Sequence, residues 1–141
     1  MITDSDFPAP VRAVICVDDE AIILMALGME LRKGLAPDFI VETAATMAEA
    51  VEVAGELRTE GLELACLITD WFLPASRGDA VAEALRVDHP GLPVVLMTGH
   101  SDTEMVEAAI ISGGPIRVVR KPWRASELIA AVRDLIDTFS K

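Results

Sequence analysis

The sequence of 141 residues has few aromatic residues (4%), no tyrosine and only two cysteines. Cys16 and Cys66 lie far apart, each within an apolar run and without CxxC spacing. This pattern excludes a disulfide framework and a cysteine-rich zinc site. We therefore expect both thiols to be small buried apolar groups.

Basic residues are also scarce, with 12 Lys and Arg against 23 Asp and Glu, which gives a formal net charge of -11. A field of this sign repels phosphate backbones and anionic lipids. We therefore expect no nucleic acid and no membrane among the direct partners.

Long apolar runs are missing as well. None approaches the ~20 residues needed to cross a bilayer. Residues 1–6 have neither the basic nor the apolar region of a signal peptide. The expected location is the cytoplasm.

What is present is enough apolar sequence for one core, since 52% of the residues are hydrophobic and 25% are charged. Residues 1–10 are acidic and contain Pro8 and Pro10, so we expect a short mobile lead-in. We expect residues 11–140 to form a single domain that functions without an output domain.

Short apolar runs alternate with longer stretches of helical period, a pattern typical of parallel strands buried on both faces by crossover helices. The fold class is therefore α/β. The predicted strands are 11–17, 39–43, 62–69, 92–97 and 116–119, and the predicted helices are near 20–33, 46–58, 78–88, 102–112 and 124–139. The expected N-caps are Thr46, Ser101 and Ser126, and Gly34, Gly61 and Gly113 are expected at helix ends.

Polar side chains follow four of the five predicted strands: Asp18, Asp19 and Glu20 after the first, Asp70 after the third, Thr98 and His100 after the fourth, and Lys121 after the fifth. Ligands of open parallel sheets bind at this edge. Three carboxylates repel one another unless a cation lies between them, and their oxygens suit Mg²⁺. With Lys121 as a second positive charge, Asp70 is equipped to attack a phosphoryl group.

These residues, together with Pro74 and Gly78 four and eight positions after Asp70 and with Pro122 after Lys121, resemble the receiver domain of two-component response regulators. The resemblance covers residues 11–140. It implies a flavodoxin-like (βα)5 fold with a five-stranded parallel sheet in the order 2-1-3-4-5 and helices on both faces.

The resemblance also implies roles. Asp70 would accept a phosphoryl group from a histidine kinase or histidine phosphotransfer protein, in a Mg²⁺-dependent reaction. Asp19 would bind the metal directly and Asp18 mainly through water, with Asp70 and the backbone carbonyl of Phe72 completing the protein ligands. Thr98 and Lys121 would contact phosphoryl oxygens. The bond between Lys121 and Pro122 would be cis. Glu20 is either a helix-start acid or part of the site.

The sequence departs from the family at several positions. Val118 replaces the aromatic residue that usually reports phosphorylation, so the usual switch is in doubt. Trp71 and Phe72 directly after Asp70 either restrict water or pack beside the metal loop. His100, two residues after Thr98, either modulates the phosphoryl lifetime, as Phe72 could, or is an exposed loop residue.

The first predicted helix is apolar on two sides. If Ile23, Leu27 and Leu31 face the sheet, then Ile22, Met25 and Met29 form a second stripe that points away. In the family this helix and the loop around Pro122 receive the kinase or phosphotransfer bundle. The alternative is that a loop or the lead-in covers the stripe.

Three other functions compete with a receiver. A phosphohydrolase of the haloacid dehalogenase type also uses an aspartyl phosphate and Mg²⁺, but the sequence has no Asp-x-Asp-x-Thr motif at Asp18 or Asp70. A flavodoxin would need a phosphate-binding loop where Asp18, Asp19 and Glu20 stand. A phosphorylation-independent adaptor would not need Asp19, Asp70, Thr98 and Lys121, all of which are present. We expect a monomer that signals through an unknown downstream protein.

Overall fold

The computed structural model describes residues 12–99 and 114–139. Its five strands form one parallel sheet in the order β2-β1-β3-β4-β5, which confirms the predicted topology. The strands are β1 (Arg12–Val17), β2 (Ile40–Ala44), β3 (Glu63–Asp70), β4 (Val94–Thr98) and β5 (Ile116–Arg120). The helices are α1 (Ala21–Leu35), α2 (Met47–Thr59), α3 (Gly78–Arg86) and α4 (Ala125–Phe139). In this part of the chain no helix is long and apolar enough to span a membrane.

The central strands are buried on both faces, as the unbroken apolar runs predict. Alternate residues of a strand point to opposite faces of the sheet. Ile15 packs in one core layer with residues of α2 and α3. Its neighbour Val14 packs in the second layer with residues of α1 and α4. Cys16 and Cys66 lie fully buried in that second layer, as expected. Burial raises the pKa of the Cys66 thiol to about 12.

The helix ends confirm some predictions and correct others. Thr46 is the N-cap of α2, since its hydroxyl oxygen accepts a hydrogen bond from the Glu49 backbone N–H at 3.1 Å. Gly61 follows α2 with a φ of 78°, a conformation that glycine adopts without a steric cost. The prediction for Gly34 places the end of α1 one residue too early, since α1 ends at Leu35, and Gly34 packs closely against Ile129 of α4.

The prediction for Ser126 is also wrong, because α4 begins one residue earlier and Ser126 is already helical. The predicted lead-in 1–10, the cap Ser101, the helix 102–112 and Gly113 lie outside the described residues.

The register of the sheet brings the polar strand ends to one edge. Val17 pairs with Thr69, Asp70 with Met97, and Thr98 with Arg120. Asp18, Asp70, Thr98 and Lys121 therefore lie at the same edge of the sheet.

Candidate functional site

Three acidic side chains meet at the carboxyl edge of the sheet, where β1 and β3 end. Asp18, Asp19 and Asp70 each place a carboxylate oxygen within 4.8 Å of the others. Asp18 is buried, Asp70 is 7% exposed, and Asp19 is exposed to solvent. The strand order reverses between β1 and β3, so the cluster lies at the position where open α/β sheets bind ligands.

The surroundings of Asp18 disfavour its charge. Burial raises the pKa of its carboxyl group, and the negative charges of Asp70 and Asp19 raise it further. A hydrogen bond of 2.9 Å from the Glu20 backbone N–H to Oδ1 and the charge of Lys121 act in the opposite direction. Oδ2 of Asp18 is buried and has no hydrogen-bond partner among the described residues. The cluster thus has an excess of negative charge and an unsatisfied buried oxygen.

Lys121 supplies a positive charge to the same edge. Its Nζ donates a hydrogen bond to Oδ2 of Asp70 at 2.8 Å. Burial on its own would lower the pKa of Lys121, but the hydrogen bond and the charges of Asp70, Asp18 and Glu20 outweigh burial and raise it. The Lys121 backbone N–H donates to the Thr98 carbonyl at 2.8 Å. The bond between Lys121 and Pro122 is cis, as the resemblance implies.

The remaining predicted site residues have distinct positions. Thr98 is buried at the end of β4, one residue after Met97, which pairs with Asp70 across the sheet. Phe72 follows the acidic site and is half exposed. Val118 lies in β5 opposite Leu96 and packs against the core. His100 is outside the described residues.

Sequence reasoning missed how the loop after Asp70 is held. Trp71 is buried, and the Arg77 guanidinium lies 5.2 Å from the centre of its ring. The Gly78 backbone N–H donates to the Trp71 carbonyl at 2.8 Å. A Cβ atom at Gly78 would lie 2.6 Å from the carbonyl oxygen of Asp70. The eight-residue spacing between Asp70 and Gly78 is the sequence signal of this contact.

The apolar stripe on α1 is exposed as predicted. Ile22, Met25 and Met29 have exposed fractions of 84%, 67% and 63%. Leu27 and Leu31 are buried against the sheet, and Ile23 is partly buried. Pro122 is also exposed. The two faces of the helix are therefore assigned correctly.

The donor set fits a hard divalent cation. All three side chains offer carboxylate oxygens, and the buried Oδ2 of Asp18 still requires a partner. Mg²⁺ prefers such oxygen ligands and usually retains several waters, which the exposed side of the cluster at Asp19 permits.

The fold and these residues together define a receiver. The family model "Response regulator receiver domain" matches residues 14–133, so the chain belongs to this family. Receiver domains are signalling domains that take phosphoryl groups from histidine kinases and bind Mg²⁺ at an acidic site, rather than enzymes in the ordinary sense. The family match favours this interpretation over the phosphohydrolase alternative.

Among curated proteins, the chain is 30% identical over 123 residues to the probable transcriptional regulatory protein TcrX of Mycobacterium tuberculosis, covering 87% of this chain and 49% of TcrX. It is 30% identical over 122 residues to the DNA-binding response regulator MtrA of the same species, covering 86% of this chain and 49% of MtrA. The chain thus spans about half the length of these relatives. Because MtrA is described as DNA-binding, the expectation of no nucleic-acid partner is not confirmed.

Among solved structures, a response regulator receiver domain protein from Clostridium thermocellum superposes with a TM-score of 0.77 at 24% identity. The match covers 90% of this chain and 95% of that chain. This similarity confirms the flavodoxin-like fold.

We expect Mg²⁺ to raise the melting temperature. A cation bound only by the folded state relieves the repulsion among Asp18, Asp19 and Asp70, and a hundredfold excess over Kd contributes about 2.7 kcal/mol. Thermal unfolding with Mg²⁺ and with EDTA measures the difference. The increase in melting temperature with Mg²⁺ should disappear in Asp19→Asn. It should persist in Asp79→Asn, which changes an acidic residue outside the cluster. Equal melting temperatures with Mg²⁺ and EDTA would contradict the assignment.

Proposed function

We propose that Asp70 accepts a phosphoryl group from a histidine kinase or a histidine phosphotransfer protein. The observation that carries this proposal is the hydrogen bond of 2.8 Å between Lys121 and Asp70, beside the acidic pair Asp18 and Asp19. Incubation with acetyl phosphate and Mg²⁺ tests it by intact-mass spectrometry. One added phosphoryl group per chain is expected, and unchanged mass would contradict the proposal.

Each residue has a defined part in this transfer. A carboxylate oxygen of Asp70 attacks phosphorus, and the bond from phosphorus to the donor histidine nitrogen breaks, with its electron pair passing to the imidazole. Lys121 orients Asp70 before the reaction and pairs with a phosphoryl oxygen afterwards. Thr98 donates its hydroxyl to another phosphoryl oxygen. Mg²⁺ would be held directly by Asp19, Asp70 and the Phe72 carbonyl and mainly through a water by Asp18, and it would neutralise charge on the phosphoryl oxygens.

Phe72 and His100 are proposed to set how long the phosphoryl group lasts. The half-exposed Phe72 ring lies two residues after Asp70 and can exclude the water that hydrolyses the acyl phosphate. Trp71 packs beside the loop instead, because its ring is buried under Arg77.

We propose that the donor bundle docks on α1 through Ile22, Met25 and Met29, with Pro122 at the edge of the contact. A charged residue buried in this contact would have no partner. Met25→Asp should therefore slow phosphotransfer from the cognate bundle tenfold or more, a loss of at least about 1.4 kcal/mol. Phosphotransfer assays with a phosphorylated donor bundle, quenched at successive times, measure the rate of transfer to Asp70.

Two controls accompany Met25→Asp. Acetyl phosphate needs no docking and should label the variant at the wild-type rate. Val51→Asp changes an exposed apolar side chain on α2 and should leave the rates of labelling from both donors unchanged. Equal loss with bundle and acetyl phosphate would show that the stripe supports the fold and not the contact.

We propose that the output is read near Asp70, Trp71, Phe72 and the loop after Thr98. Val118 buries little area and is stiff at χ1, so it supplies little energy for a switch that reaches β5 and α4. Beryllofluoride should therefore change amide chemical shifts near residues 70–73 more than in β5 and α4, and the protein should stay monomeric. Large shifts through 104–120 with dimerisation would contradict this. We propose a cytoplasmic location for this function.

A further inference from the structure

A second concavity borders the acidic cluster. It has a volume of about 330 Å³ and is lined by Asp19, by residues 45–48 at the start of α2, and by residues 73–76 between β3 and α3. Asp19, Thr46 and Ser76 are the polar side chains in this lining, and the other side chains are apolar. We call it the apolar pocket. Its volume and composition are those of sites for small ligands.

Hydrogen bonds hold the walls of the apolar pocket in place. Thr46 caps α2 through the Glu49 backbone N–H at 3.1 Å. In the opposite wall, the Leu73 backbone N–H donates to the Ser76 carbonyl at 3.0 Å. One wall is thus the capped start of α2 and the other a hydrogen-bonded turn, so a ligand would enter a cavity that is already formed.

Asp19 belongs both to the apolar pocket and to the carboxylate cluster around Asp70. It lines the pocket, and one of its carboxylate oxygens lies within 4.8 Å of one from Asp70. The apolar pocket therefore adjoins the carboxylate cluster that contains Asp70. The walls favour an uncharged hydrocarbon group, because burial of apolar surface is favourable and Asp19 repels a second anionic end.

We propose that the apolar pocket binds the alkyl chain of small acyl phosphates, so that the protein prefers donors with a longer acyl chain than acetyl phosphate. This inference rests on Asp70 as the phospho-acceptor. In the reaction a carboxylate oxygen of Asp70 attacks phosphorus, and the bond from phosphorus to the acyl oxygen breaks. The electron pair leaves with the fatty-acid carboxylate, and the alkyl chain is unchanged.

The test compares acetyl phosphate with butyryl phosphate as donors, with Mg²⁺ present. Burial of two more methylene groups corresponds to a second-order rate constant of labelling about tenfold higher for butyryl phosphate. Ala75→Leu places a larger side chain in the pocket wall and should reduce this preference to near one, while the rate with acetyl phosphate is retained. Ala26→Leu, an exposed change on α1 outside the pocket, should keep the wild-type preference.

The outcomes separate this inference from the proposed function. If acetyl phosphate labels Asp70 and the preference for butyryl phosphate is absent, or is equal in wild type and Ala75→Leu, the pocket inference is overturned and the receiver function stands. If neither donor labels Asp70, the proposed function fails and the inference fails with it. Should circular dichroism show that Ala75→Leu is unfolded, Ala48→Leu in the opposite wall provides the same comparison.

Discussion

Asp70→Asn should abolish phosphorylation by acetyl phosphate and by the cognate bundle. The amide is far less nucleophilic than a carboxylate, so the group that attacks phosphorus is lost. The fold should survive because the side chains have nearly the same shape. Intact-mass spectrometry after incubation with acetyl phosphate and Mg²⁺ measures the result, and circular dichroism checks the fold.

Asp79→Asn is the matched control for this variant. Asp79 is on α3, where it pairs with Arg77, and it is not part of the acidic cluster. The control should be labelled as the wild type is. A phosphorylated Asp70→Asn protein, or an unlabelled Asp79→Asn protein that is folded, would show that the acceptor is misassigned.

Gly78→Ala should destabilise the protein by about 2 kcal/mol or more. The new methyl group would meet the Asp70 carbonyl oxygen at 2.6 Å and a Leu96 methyl group at 2.9 Å. Backbone cannot rotate away as a side chain can, so α3 or the end of β3 must shift. Labelling at Asp70 should slow as well, because the acceptor lies on the displaced segment. Urea unfolding and labelling rates measure the two effects.

Gly55→Ala is the matched control, since Gly55 is an exposed residue inside α2 with no atom within 4 Å of the added methyl group. Alanine has the higher helix propensity, so this variant should be more stable by about 1 kcal/mol. If Gly78→Ala is as stable as the wild type, the close contact with Asp70 does not constrain the loop.

The sheet was predictable because its strands are buried on both faces. In Val14, Ile15 and their neighbours the apolar run is unbroken, which is typical of a short strand in the middle of a parallel sheet. The acidic cluster followed from topology, because parallel strands release their polar ends at one edge. The outward stripe of α1 followed from helical spacing alone.

Other features depend on tertiary contacts that no local pattern encodes. Gly34 looks like a helix stop, but α1 ends one residue later at Leu35, and the missing side chain at Gly34 leaves room for Ile129 of α4. The contact of Arg77 with Trp71 joins two ends of a loop whose path the sequence does not specify. The apolar pocket likewise forms only when the loops after β2 and β3 lie opposite each other.

Peptide mapping of the phosphorylated protein tests most directly whether Asp70 is the acceptor. Borohydride reduction before the digest converts an aspartyl phosphate to homoserine. Trypsin releases residues 59–77, in which Asp70 is the one aspartate, and residues 13–32, which carry Asp18 and Asp19. We expect homoserine at position 70 and unmodified aspartate at positions 18 and 19. Homoserine at position 18 or 19, or no conversion in residues 59–77, would contradict it.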